Sequence, residues 1–184
     1  MKKLSIILGS IGLIVLVCFI SFLFIYNNAI SYQESVEEKW SNVQSAYQRR
    51  ADLLPQLVET VKNASKNEKD ILMQVTNARS GIVNSKTPED LENAGKQINS
   101  AINLAFEAYP QIRSTENFII LQAQLEGSEN RINRERDLYN EAVKEYNTHI
   151  RSFFARIVLN SEKFPKEIGF KANNGSENPP KIEY

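Results

Sequence analysis

The chain has 184 residues, and its 22 Lys and Arg balance 22 Asp and Glu, so the formal net charge is zero. That balance excludes a nucleic-acid binder held by phosphate contacts, which needs a basic excess. One Cys excludes an internal disulfide framework, one His leaves no His-based metal or catalytic cluster, and seven Gly with six Pro are too few for a loop-rich all-β chain.

The first element is apolar. Leu4 to Ile25 reads LSIILGSIGLIVLVCFISFLFI, without one charge. As a helix it is about 33 Å long, which matches the ~30 Å hydrocarbon core of a bilayer. Lys2 and Lys3 precede it and Tyr26 follows it, a basic end and an interfacial aromatic. The stretch ends FLFIYNNA, with no small-residue cleavage site, and Val17 stands before Cys18 where a lipoprotein needs a small residue. The expectation is an uncleaved anchor, residues 1–27, that meets the lipid bilayer through residues 4–25. Cys18 then has no chemistry. Positive-inside logic places the amino terminus in the cytoplasm and the rest outside the cell membrane, as a single-pass protein.

Residues 28–65 carry an apolar stripe at steps of three and four: Val36, Trp40, Val43, Tyr47, Ala51, Leu54, Val58 and Val61. Pro55 falls inside that run and should kink the helix or mark a start. Asn67-Glu68-Lys69-Asp70 reads as the next helix start, and Ile71, Leu72, Val75, Ala78 and Ile82 continue the period to about Ser85. Thr87-Pro88-Glu89-Asp90 is another start: a Thr cap, Pro at the first helical position and acids in the first turn. Leu91, Ala94, Ile98, Ala101, Ile102 and Ala105 follow, and Tyr109-Pro110 ends that helix.

Ser114 or Thr115 caps the last helix, which the pattern carries to about Arg156. Phe118, Leu125, Ile132, Tyr139, Tyr146 and Phe153 recur every seven residues, a heptad seam with weaker companions at Leu121, Ser128, Glu135, Ala142 and His149. Residues 171–184, broken by Gly and two Pro, read as a flexible tail. The fold expected is all-α: an N-terminal transmembrane helix, then an antiparallel up-and-down helical bundle over residues 28–170 with two long and two shorter helices. The short pair lies beside the membrane-distal half of the long pair, which leaves a two-helix stalk near the membrane.

These residues resemble the LemA family of bacterial membrane-anchored helical proteins. The resemblance is carried by Tyr26-Asn27, Trp40, Arg49-Arg50-Ala51-Asp52-Leu53-Leu54-Pro55-Gln56-Leu57-Val58, Glu68 and Ala78-Arg79. It continues in Glu126-Gly127, Glu129-Asn130-Arg131-Ile132, Arg136, Tyr139-Asn140, Val143, Tyr146-Asn147 and Gly169-Phe170. It implies a single span, an all-helical exported or membrane-associated domain, and no established biochemical activity. The sequence departs from the family at Asn67, where members often carry His, and at Phe153-Phe154, where a Phe-Pro usually ends the last helix.

No catalytic, metal or cofactor residue is expected. The single His, in Glu145-Tyr146-Asn147-Thr148-His149, has the wrong spacing for a di-iron bundle and reads as a solvated or seam residue. Two groups of side chains stand out. Arg50, Arg79, Glu129 and Arg136 lie at or beside the apolar stripes and are expected to meet as a polar layer that sets bundle register, with an anion site or independent surface pairs as the alternatives. Trp40, Tyr47, Tyr139, Tyr146 and Phe153 fall in the stalk. One reading is ordinary packing across the two long helices; the other is that two helices cannot cover such wide rings. In that case they form a candidate interaction surface for a second copy, as a homo-oligomer, or for another membrane protein. The function expected is that of a non-enzymatic membrane-anchored interaction or scaffold protein. The alternative is an accessory regulatory subunit of a membrane enzyme such as a protease.

Overall fold

In the computed structural model, which describes residues 2–53, 55, 68–108 and 116–171, the described residues form helices and connecting turns and no strand. The helices are α1 (Lys2–Asp52), α2 (Glu68–Asn84), α3 (Pro88–Ala108), α4 (Glu116–Ile150) and α5 (Phe153–Val158). The apolar run and the first expected long helix are therefore one helix of 51 residues, which ends three residues before Pro55. Leu54, Val58, Val61, Asn67, Tyr109-Pro110, Ser114-Thr115 and residues 172–184 lie outside the described residues.

The described chain groups into two compact units, residues 1–41 with 141–167 and residues 42–140 with 168–184. Helices α1 and α4 each contribute to both.

In the first unit, the side chains from Ile6 to Phe24 are all exposed. Burial begins at Ala29 and Val36 on α1 and is completed by Ala142, Val143 and Tyr146 on α4, Ala155 on α5 and Phe164. The Tyr26 ring meets Phe164 edge-on at 5.6 Å. His149 is half-buried: its Nε2 lies 3.1 Å from the Ile25 carbonyl, and its ring centre lies 5.2 Å from that of Tyr32.

The last long helix stops at Ile150, six residues short of the expected end. Ser152 is extended, with φ −62° and ψ 153°, and a separate short helix begins at Phe153. Phe153 fits the heptad spacing but belongs to that second helix and is 74% exposed.

In the second unit, α2 and α3 pack against each other across a three-residue connection, as short loops between helices require. The expected cap is present in reciprocal form. The Asp90 N–H donates to the Thr87 hydroxyl (3.2 Å), and the Asp90 carboxylate accepts from the Thr87 and Lys86 N–H groups (3.1 and 3.3 Å). Small residues bring the pair close: a Cβ on Gly81 would lie 3.3 Å from the Ala94 Cβ. Leu91, Ala94, Ile98, Ala101 and Ile102 of α3 are buried with Ala78 and Ile82 of α2, Val43, Tyr47 and Ala51 of α1, and Leu121, Leu125, Ile132 and Tyr139 of α4. Gln44 on α1 donates to the Ser85 carbonyl at the α2–α3 turn (3.1 Å).

Candidate functional site

Tyr47 is the centre of a polar network in the second unit. Its ring turns its Cε1 edge to α3 where Gly95 has no side chain; a Cβ there would lie 2.5 Å from Cε1. The Arg136 guanidinium on α4 acts on the phenol electrostatically. Arg136 also pairs with Glu92 of α3 at 2.6 Å, and its guanidinium sits 4.6 Å over the Phe170 ring, a cation–π contact. Burial raises the pKa of the Tyr47 phenol; Arg136 opposes that rise and Glu92 adds to it. The phenol therefore stays neutral and serves as a fixed polar end on a buried ring.

Arg50 flanks the same ring from α1. It pairs with Glu129 of α4 and donates to the Asn99 side chain on α3 at 2.8 Å. Burial pushes its guanidinium below the ordinary value, and Tyr47 opposes the shift. Its Nε is buried without a hydrogen-bond partner among the described residues. A cation desolvated in this way gains little stability from its pair.

The expected layer of Arg50, Arg79, Glu129 and Arg136 is thus divided. Arg50–Glu129 and Arg136–Glu92 lie either side of Tyr47, whereas Arg79 pairs with Asp52, both about half exposed. The reason is reach. Glu129 and Arg136 are two helical turns apart, about 10.5 Å, so one carboxylate cannot serve both arginines. Each cation pairs with its own acid on a neighbouring helix.

Of the two readings of the aromatic group, packing holds for the tyrosines. Tyr47, Tyr139 and Tyr146 are 5%, 3% and 0% exposed, Trp40 is half-buried, and only Phe153 stands in the open. The tyrosines do not overflow the seam, because α3 covers one and the non-helical segment after α5 covers the others. That segment is held by two clamps of identical design. In the first unit, Tyr146 donates to the Pro165 carbonyl (2.9 Å). Asn147 both donates to the Glu167 carbonyl (2.9 Å) and accepts from its N–H (3.1 Å). In the second unit, Tyr139 donates to the Ile168 carbonyl (3.1 Å). Asn140 donates to the Phe170 carbonyl (3.2 Å) and accepts from its N–H (2.8 Å).

In each clamp the Tyr takes one residue and the following Asn takes the residue two further on. Burial, with a smaller contribution from Glu167, pushes the Tyr146 phenol up to about 12, so it remains a donor. Gly169 is part of the device: a Cβ there would lie 2.7 Å from the Asn140 Oδ1. The clamps are seven residues apart on α4 and three apart on the segment. The repeated Tyr-Asn pair and Gly169-Phe170 were the signal for this arrangement in the sequence.

Among the described residues, no group of three or more His, Cys, Asp or Glu side chains is placed to hold a metal ion. The LemA family model matches residues 39–184. A protein LemA from Metamycoplasma hominis is 23% identical over 145 residues, which cover 74% of this chain and 66% of that protein, just under two thirds of its length. Tyr47, the arginine pairs and both clamps fall inside the matched region; the apolar run does not. With four fifths of its length matched by that family model, the chain belongs to the LemA family.

Proposed function

We propose that the protein is a non-enzymatic, membrane-anchored interaction or scaffold protein, held in the cell membrane by residues 4–25 as a single span. The observation that carries this reading is the unbroken exposure of the side chains from Ile6 to Phe24 on a helix whose apolar window has a mean hydropathy of 2.9. Such a surface is costly in water and at home in hydrocarbon. The polar groups elsewhere support a scaffold. The Tyr47 network and both clamps spend their hydrogen bonds on internal partners, and neither presents an activated nucleophile or base. A second copy or another membrane protein is the partner this reading implies.

Two experiments test it. Alkaline carbonate extraction should leave the chain in the membrane pellet; release into the supernatant would remove the anchor. Purification of the full chain in mild detergent should yield a homo-oligomer or a non-catalytic partner. A stoichiometric membrane enzyme would instead favour the regulatory-subunit reading. We also propose that the amino terminus is cytoplasmic, on the strength of Lys2 and Lys3. Exposed Arg151, Arg156, Lys163 and Lys166 beyond the run weigh the other way. Labelling of a Glu126→Cys, Cys18→Ala chain by an impermeant maleimide in intact cells decides the orientation.

A further inference from the structure

We propose that α5 is a second membrane contact, lying in the headgroup layer of the bilayer that residues 4–25 span, with Phe153, Phe154 and Ile157 turned into lipid. The proposal rests on the reading of those residues as a span and adds a lipid-binding surface to it.

The first observation is exposure. Phe153, Phe154 and Ile157 are 74%, 67% and 71% exposed, and α5 buries Ala155 on its other side. The two Phe rings meet edge-on at 5.3 Å, which makes one continuous apolar patch. Outside the apolar run, no other described segment places three large apolar side chains so openly within five residues.

The second observation is position. His149, four residues before Phe153, touches the Ile25 carbonyl, and Phe164, five residues after Leu159, packs on Tyr26. Contacts with the last residue of the apolar run and with the residue after it therefore bracket α5. The patch is confined to the level at which the run leaves hydrocarbon, where aromatic side chains concentrate.

The third observation is charge. Residues 151–166 carry Arg151, Arg156, Lys163 and Lys166 against Glu162, so four minus one gives a net charge of +3 in a chain whose total is zero. All five are exposed. Apolar side chains flanked by exposed cations are the composition of an interfacial helix, and anionic headgroups are its complement. One and a half turns would not hold a protein to a membrane unaided. Here the span already supplies a high effective concentration, so three side chains suffice to seat the patch.

The test uses full-length protein in phosphatidylethanolamine–phosphatidylglycerol vesicles, with one spin label per chain. The native Cys18 reports the span. Phe154→Cys in a Cys18→Ala chain reports α5. Glu38→Cys in the same background is the aqueous reference, because Glu38 is exposed and 13 residues beyond Ile25, about 20 Å along α1. The readout is accessibility to oxygen against a water-soluble nickel chelate. The expected ratio at position 154 is several-fold above that at position 38 and below that at Cys18, and it falls when phosphatidylcholine replaces both lipids. A ratio at 154 equal to that at 38, with Cys18 still deep, overturns the proposal and leaves the anchor standing. A label at 154 shielded from both reagents means a protein partner covers the patch, which also overturns it. A water-exposed Cys18 removes the span, and the proposal with it.

Discussion

Asn147 closes a two-way hydrogen-bonded ring on the backbone of Glu167, donating its amide N–H to the carbonyl and accepting from the N–H with its oxygen. A side-chain carboxamide thus does what a neighbouring β-strand would do. It satisfies both polar groups of a non-helical residue that packs over a buried tyrosine. Because each partner would otherwise be left unpaired, removal is costly. Asn147→Ala and Asn140→Ala should each lower stability by about 1–3 kcal/mol. Amide exchange at Glu167 or Phe170 respectively should accelerate in the matching variant. Thermal unfolding and exchange mass spectrometry check this. Unchanged exchange over residues 160–171 would mean that the clamps do not hold the segment.

Glycine substitutions should go in opposite directions. Gly127 lies within α4 with open space around its Cβ position, so Gly127→Ala should stabilise by about 0.5–1 kcal/mol through helix propensity alone. Gly95 lies within α3 against the Tyr47 ring at 2.5 Å. The same propensity gain there meets an overpacking cost of about 1–3 kcal/mol, because the ring is buried and has little room to move. Gly95→Ala should therefore destabilise. Paired chemical denaturation of the two variants checks the signs.

The two ion pairs beside Tyr47 differ in exposure, and exposure decides their strength. The difference lies in the acids: Glu92 is 24% exposed opposite Arg136 at 19%, whereas Glu129 is 45% exposed opposite Arg50 at 11%. Water screens the second pair more. Glu92→Gln should cost about 1–3 kcal/mol by leaving Arg136 less compensated. Glu129→Gln should cost about 1 kcal/mol or less, since Arg50 keeps Asn99. Added salt should shrink the Glu129 difference more than the Glu92 difference. Equal losses would show that both pairs share one environment.

Periodicity made the helices and most of the core legible. Val36, Val43, Tyr47 and Ala51 on α1, and Leu91 through Ile102 on α3, are buried at the positions their spacing indicates. Thr87-Pro88 likewise marks the start of α3 by local capping chemistry that needs no tertiary information. The end of α4 was not legible, because Phe153 satisfies the seven-residue spacing as well from a new helix as from the old one. Choice of ion-pair partner was not legible either. Glu92 and Asp52 are ordinary surface acids until packing brings Arg136 and Arg79 to them. The clamps were half legible: their donors are a repeated Tyr-Asn pair, but their acceptors are backbone carbonyls, which have no side-chain signature.

Two carboxylates give pH dependences of opposite sign. Burial first, and the negative charge of Glu37 second, raise the Glu167 pKa above its ordinary 4.5. The folded state then holds that proton more tightly than the unfolded state does. Above the raised value the ionised Glu167 is a penalty on folding, and the penalty disappears as pH falls through the window down to 4.5. Asp90 is the reverse. Hydrogen bonds from Thr87 and Lys86 lower its pKa below 3.8, so its contribution is fully present above 3.8 and is lost only as pH falls through the folded value. At neutral pH, Glu167→Gln should melt above the parent and Asp90→Asn below it. On acidification the Glu167→Gln advantage should vanish first, above the pH at which the Asp90→Asn deficit begins to close. Melting temperatures of the three proteins across the acid range check the order. Differences that do not change with pH would mean that neither carboxylate is linked to folding.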